Sequence, residues 1–235
     1  MKKLTSTPKR AEQVYVSIRD SICEGTLKAG THLIQENLAA RLGVSRQPVQ
    51  QAMVLLKNDG LVLERGSRGL YVAPVDALET VHRYQIRLGL DQLAARLCAE
   101  RAGRSPDFAA DLLASGTRVL ESGHRAVARG KHREAVGHDV EFHSLLYERS
   151  GNPLIFGTAE PLWHYLRRVM ITVLSYAERG PLVWNQHREI LTTIVAGDAE
   201  RAVSLVTDHI KGAENAILGA ITRHPPDQVG LDEIG

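Results

Sequence analysis

Residues 38–50, LAARLGVSRQPVQ, constrain the fold more than any other stretch, because they set two short amphipathic helices on either side of one break. Leu38 to Leu42 carries helix-forming residues, and Gly43-Val44 interrupts them. Ser45 is a favourable N-cap for a second helix, since its hydroxyl can accept from the open N–H groups of the first turn. Pro48 falls inside that turn, where a missing N–H costs nothing. Val49, Met53 and Leu56 recur at i, i+4 and i+7 and form one apolar stripe. Arg46, Gln47, Gln50 and Gln51 lie on the opposite face with side chains that can reach base edges. The pattern is that of a helix-turn-helix with a recognition helix, although any capped pair of amphipathic helices would share it.

Composition narrows the class. The chain has 235 residues, 43% of them hydrophobic and 24% charged, the proportions of an ordinary globular protein. No apolar run approaches the ~20 residues of a membrane span. The basic start, MKKLTSTPKR, has no apolar stretch behind it and does not read as a signal peptide. Cys23 and Cys98 are far apart and without ligand-like neighbours, so reduced cysteines in a cytoplasmic protein are expected. Aromatic residues, at 5%, are too few for a stacking-based single-strand binder. The net charge of +2 is unevenly spread. Residues 1–75 hold 11 Lys/Arg against 6 Asp/Glu and the remainder 18 against 21. A basic first third on a slightly acidic body suits a phosphate-binding module joined to another unit.

Helical periodicity from Lys9 runs through Val14, Ile18 and Ile22 and closes at Gly25. A short extended stretch, TLKAGTHL, precedes helices expected at Gln35–Leu42 and from Ser45 to about Asp59. LVLERGSRGLYVAPV then holds two β-rich runs around a Gly/Ser/Arg turn, a β-hairpin whose tip carries Arg65, Ser67, Arg68 and Gly69. Three helices and this hairpin make a winged helix. Six further helical segments follow, near 76–101, 106–129, 132–149, 153–177, 181–196 and 199–221. The expected fold is therefore mainly α, an N-terminal winged helix-turn-helix followed by an antiparallel all-α helical bundle. Residues 1–8 are expected to be disordered, 9–75 to bind DNA, 76–224 to bind effector and metal, and 225–235 to form a flexible tail.

The segment VYVSIRDSICEGTLKAGTHLIQENLAARLGVSRQPVQQAMVLLKNDGLV, with its GVSR-x-PV core, resembles the winged helix of GntR-family transcription regulators. DVEFH, SGNP and HREILTTIVAGDAERAVSLVTDHI resemble the all-helical ligand-binding domain of the FadR-type subgroup, in its six-helix variety. The resemblance implies a ligand-responsive regulator, more often a repressor, that binds a palindromic operator as a homodimer. It also implies DNA contacts from Ser45, Arg46, Gln47, Gln50, Gln51, Arg65, Arg68 and Gly69. The family usually has Arg at Gln50 and often Thr at Gln47. Gln pairs with adenine where Arg prefers guanine, so an altered operator base is expected. Ala29-Gly30 replaces the usual Pro-Gly.

Nine of the ten histidines follow residue 75. Asp139 and His143 are spaced i, i+4 and share a helical face. His187 shares one with Ile190, Leu191 and Ile194, and His209 with Ala202, Leu205 and Val206, so both should point into a bundle, where metal sites are often built. The resemblance makes these four residues the metal ligands. Three imidazoles and a carboxylate suit a divalent ion, zinc first, with nickel, manganese or cobalt as alternatives. His32, His82, His124, His132 and His224 read as solvated or loop positions. Arg87 stands where the family binds the carboxylate of an acidic effector, which the guanidinium fork explains. Asp91 replaces a usual Glu. Arg167 and Arg168 could add positive potential, one of them facing water, and Asn152 reads as a cap. Two rival readings are a metalloenzyme acting on a small carboxylate, disfavoured because no general base is evident beside the ligands, and a regulator whose metal only stiffens the bundle.

Overall fold

The computed structural model describes residues 8–66, 69–173 and 180–223, which hold nine helices and one two-stranded sheet. Ser67, Arg68, His224, residues 1–7 and the expected C-terminal tail lie outside the described residues, as does the expected reach of the seventh helix to residue 177; Pro8, expected in the disordered start, instead begins a helix. No described helix is long and apolar enough to cross a membrane. The chain divides between Val75 and Asp76 into two compact units.

The first unit comprises α1 (Pro8–Cys23), α2 (Gln35–Leu42), α3 (Arg46–Asn58), β1 (Val62–Glu64) and β2 (Leu70–Val72). The strands pair antiparallel, with Leu63 opposite Tyr71, and the expected hairpin is present. Its core is the predicted stripe. Val14, Ile18 and Ile22 of α1 pack with Val49, Met53 and Leu56 of α3, and Leu61 and Val72 of the hairpin complete the cluster. Gly43 closes α2 in the left-handed region at φ 64°, where its N–H reaches back to Ala40 O; a side chain there would be strained. The buried Tyr15 hydroxyl donates to Asp59, tying α1 to the end of α3. Ser45 departs from expectation. It has the extended backbone of an N-cap, but its hydroxyl makes no capping hydrogen bond. The turn is exposed, so its open N–H groups can be hydrated without a side-chain partner.

The second unit is all helical: α4 (Ala77–Arg104), α5 (Pro106–Ala128), α6 (His132–Arg149), α7 (Pro153–Val173), α8 (Gly180–Val195) and α9 (Ala199–Arg223). Asp76 and Ser105 cap α4 and α5 by accepting from Glu79 N and Phe108 N. Asn152 does the same for Leu154 N at 3.0 Å, the capping role its SGNP context predicts. Central α4 packs along α9 and also meets α6, α7 and α8, while α5 lies against α6 and α8. The α5–α8 contact needs a bare backbone, because a Cβ at Gly123 would stand 2.0 Å from the Trp184 ring. Trp184 can thereby stay buried beside His187, their ring centroids 5.1 Å apart.

Candidate functional site

Three helices turn titratable side chains into one buried cluster. Asp139 and His143 come from α6, His187 from α8 and His209 from α9, and one ligand atom from each lies within 4.8 Å of the others. All four residues are buried, His187 completely. The rings are held by packing. Phe142 stacks on His187 at 4.4 Å, and Trp163 of α7 tilts against His143 at 5.3 Å. His187 Nε2 is 3.1 Å from His209 Nε2 and 3.4 Å from Asp139 Oδ1. Ring nitrogens brought this close in a dry interior favour a shared cation, and this borderline donor set fits a divalent ion.

Neighbouring residues orient these side chains. His143 Nδ1 lies 2.7 Å from Asp91 Oδ1, and because a carboxylate only accepts, this nitrogen carries a ring proton. His209 Nδ1 likewise faces Gln186 Oε1 at 3.1 Å. Such outer partners fix the tautomer and raise ligand basicity. Burial alone would push the Asp91 carboxyl up, but His143 and Arg87 outweigh it and hold it below its ordinary value. Burial also pushes the Asp139 carboxyl up, against the pull of His143 and Arg87; a bound cation would reverse that.

Burial holds His187 well below the ordinary imidazole value, with His209 and His143 adding to the effect. An unfolded chain takes up this proton near pH ~6.5 while the folded one resists it. The stability tied to a neutral His187 is complete above about pH 6.5 and is lost as pH falls from there through the depressed folded value. Calorimetry of chelator-treated protein should therefore show a lower Tm at about pH 5.5 than at about pH 7.5, this one group contributing at most about 1.4 kcal/mol per pH unit. A His187→Leu variant should flatten that slope, and an unchanged slope would remove His187 as its source.

Arg87 is no solvated helix residue. It is 2% exposed, its Nε donates to Asp91 Oδ2 at 3.2 Å, and its Nη2 lies 2.9 Å from His143 Nε2. Its carbon Cζ sits 4.1 Å from the Trp163 ring centre. Next to it is a cavity of about 290 Å³, lined on its polar side by Tyr84, Arg87, His132, Asp139 and His209 and otherwise by residues such as Val136, Met170, Trp184 and Ile217. Arg87 Nη1, Tyr84 Oη and Asp139 Oδ2 are buried and find no hydrogen-bond partner among the described residues. Burial pushes the Tyr84 phenol up to about 12, which keeps its O–H a donor.

From the sequence alone Asp91 stands out only as a departure from the family's usual Glu, and Tyr84 and Gln186 do not stand out. The first two were within reach, because they stand at i+4 and i−3 from Arg87. Gln186 was not, since it serves a histidine on another helix. Arg168 is buried and Arg167 half-buried, and neither lines the described cavity, so the expected water-facing member of the pair is not seen. One of the histidines read as solvated is placed differently: His124 is half-buried with its ring 6.2 Å from Trp184, whereas His32 is exposed as expected and stacks on Tyr71 at 4.6 Å. His82 and His132 are exposed as expected.

In the first unit, Ser45, Arg46, Gln47, Gln50 and Gln51 are all exposed on or just before α3. Arg46 Nη1 donates to Glu36 Oε1 at 2.7 Å across the helix pair. At the hairpin, half-buried Arg65 lies over the Tyr71 ring at 5.4 Å. Gly69 has φ 105°, a backbone conformation that favours glycine, and a Cβ there would meet the exposed His32 ring at 2.7 Å. Arg68, expected at the same tip, lies outside the described residues.

Comparison with known proteins gives both units relatives. Residues 10–72 match the family described as bacterial regulatory proteins, gntR family, and residues 82–212 match the FCD domain. The chain is 29% identical over 203 residues to YdhC, an HTH-type transcriptional regulator of Bacillus subtilis, covering 84% of this chain and 86% of that one. It is 24% identical to the HTH-type transcriptional repressor RspR of Escherichia coli, covering 92% of each. A crystal structure of a GntR transcriptional regulator from Rhodococcus sp. RHA1 superimposes with a TM-score of 0.75 at 26% identity, over 90% of this chain and 99% of that one.

Proposed function

The chain belongs to the GntR family of bacterial regulatory proteins, DNA-binding transcription regulators and not enzymes, and carries an FCD domain, and from that premise we propose that it is a cytoplasmic repressor controlled by a small carboxylate metabolite. A homodimer would set two α3 helices in successive major grooves of a palindromic operator, about 34 Å apart. Gln47, Gln50 and Gln51 would read base edges, and Ser45, Arg46, Arg65, Arg68 and the backbone at Gly69 would meet phosphates. Asp139, His143, His187 and His209 would hold a divalent ion, zinc before nickel, manganese or cobalt. When bound, the ion supplies positive charge and open coordination positions for an anionic ligand. Arg87 Nη1 and the Tyr84 hydroxyl donate to the carboxylate, Asp91 holds the guanidinium in place, and the apolar wall excludes water.

One observation carries this reading. A buried arginine whose Nη1 has no hydrogen-bond partner among the described residues lines a cavity that two of the four metal donors, Asp139 and His209, also line. An orphaned charged donor in a dry pocket is unfavourable unless a ligand completes it. The test is DNA binding by the metal-loaded protein across a panel of mono- and dicarboxylic acids. At least one acid should shift operator affinity tenfold or more in the wild type. An unresponsive protein across the panel would overturn the sensor reading and leave an ion that only stiffens the bundle.

A second expectation concerns the operator. Gln50→Arg should move the preferred base at one position of each half-site from adenine to guanine, with discrimination of about 1–3 kcal/mol. Selection from a random duplex pool checks it, and an unchanged preference would take Gln50 off the base edge.

A further inference from the structure

The DNA-facing side of the first unit carries an apolar feature that hydrogen-bond readout does not use. A groove runs between the start of α2, the outer face of α3 and the hairpin, and Arg46, Gln50, Val54, Lys57 and Ile34 line it. Its charged groups are matched. Arg46 pairs with Glu36 at 2.7 Å and Lys57 with Glu64 at 2.6 Å. Between them Val54 is 58% exposed, with Ile34 at 43% nearby. Val54 follows Gln50 by four residues, so the two share one face of α3, separated by about 6 Å along its axis. That separation is close to two base-pair steps of about 3.4 Å. Leu55 is also exposed, at 44%, but does not line the groove.

Val54 and Ile34, set among polar side chains, are too small a target for a protein partner, which would need a larger contiguous apolar patch. The major groove offers one apolar group of matching size, the C5-methyl of thymine. We propose that Val54 is a specificity-determining residue that reads a thymine methyl within about two base steps of the base read by Gln50. This inference rests on the operator-binding reading above. It makes each half-site an adenine and a thymine read from one helical face, Gln50 by hydrogen bonds and Val54 by apolar contact.

The test uses the full chain and the duplex that it selects from a random pool. Each thymine of the half-site is replaced in turn by deoxyuracil, which removes only the methyl group. For the wild type, one such position should weaken binding about fourfold per half-site, and about fifteenfold when changed in both. Val54→Ala should bind thymine and deoxyuracil duplexes alike, while Leu55→Ala, the control on the neighbouring exposed position, should keep the full difference. Methyl sensitivity that is absent, or that survives intact in Val54→Ala, overturns the assignment while leaving the operator reading standing. A wild-type chain that selects no sequence at all overturns the operator reading itself, and the inference with it.

Discussion

Replacing His187 with alanine is expected to abolish the thermal stabilisation that the proposed divalent ion would give this protein. An ion that binds only the folded chain adds about 4.1 kcal/mol when present at a thousand times its Kd. At roughly 2–4 °C per kcal/mol for a chain of this length, the wild type should gain about 8–16 °C in Tm on loading and lose it on chelation. His187 is completely buried and its Nε2 lies within 3.4 Å of both His209 and Asp139, so no exposed group can take its place. His209→Gln provides a second variant in case the alanine cavity unfolds the bundle. Asp91→Asn should be milder, weakening metal binding about 10–100-fold, because it changes the partner that sets the His143 tautomer. Scanning calorimetry with and without metal reads all three. A full shift in both histidine variants would show that the ion sits elsewhere.

Substituting Arg87 should separate sensing from folding. Arg87→Lys keeps a cation beside Asp91 but loses the planar fork, so acid binding should fall about 10–150-fold while operator affinity without the acid stays unchanged. Arg87→Met goes further. It removes the charge that Asp91 faces in a buried pair and should lower stability by about 3–5 kcal/mol as well as abolish the acid response. Titration calorimetry with the responsive acid, together with DNA binding, measures both effects. If Arg87→Lys binds the acid as tightly as the wild type, the guanidinium is structural and the carboxylate is held by the ion alone.

These residues differ in how far they could be read from the chain. Val49, Met53 and Leu56 announced a buried stripe by spacing, and the structure buries all three. Gly43 marked the turn because few residues other than glycine adopt its backbone. The four histidine and aspartate positions could be named as a set through their resemblance to a known family, and the structure brings their ligand atoms together. Ser45 shows the limit of local rules, since a residue type suited to capping does not cap where water can do the same work. His124 shows another, because nothing in its own helix tells that Trp184 will arrive beside it.

Local periodicity and turn chemistry determined the helices, the hairpin and the faces that had to be buried, because those depend on residues three or four positions apart. Only the tertiary structure decided what each face meets. Gln186 orients His209 across 23 residues, Asp91 reaches His143 across 52, and the cavity that leaves Arg87 Nη1 unpartnered is walled by helices distant in sequence. Hydrogen bonds and dry cavities form between surfaces, and no single segment carries the geometry of the surface it will touch.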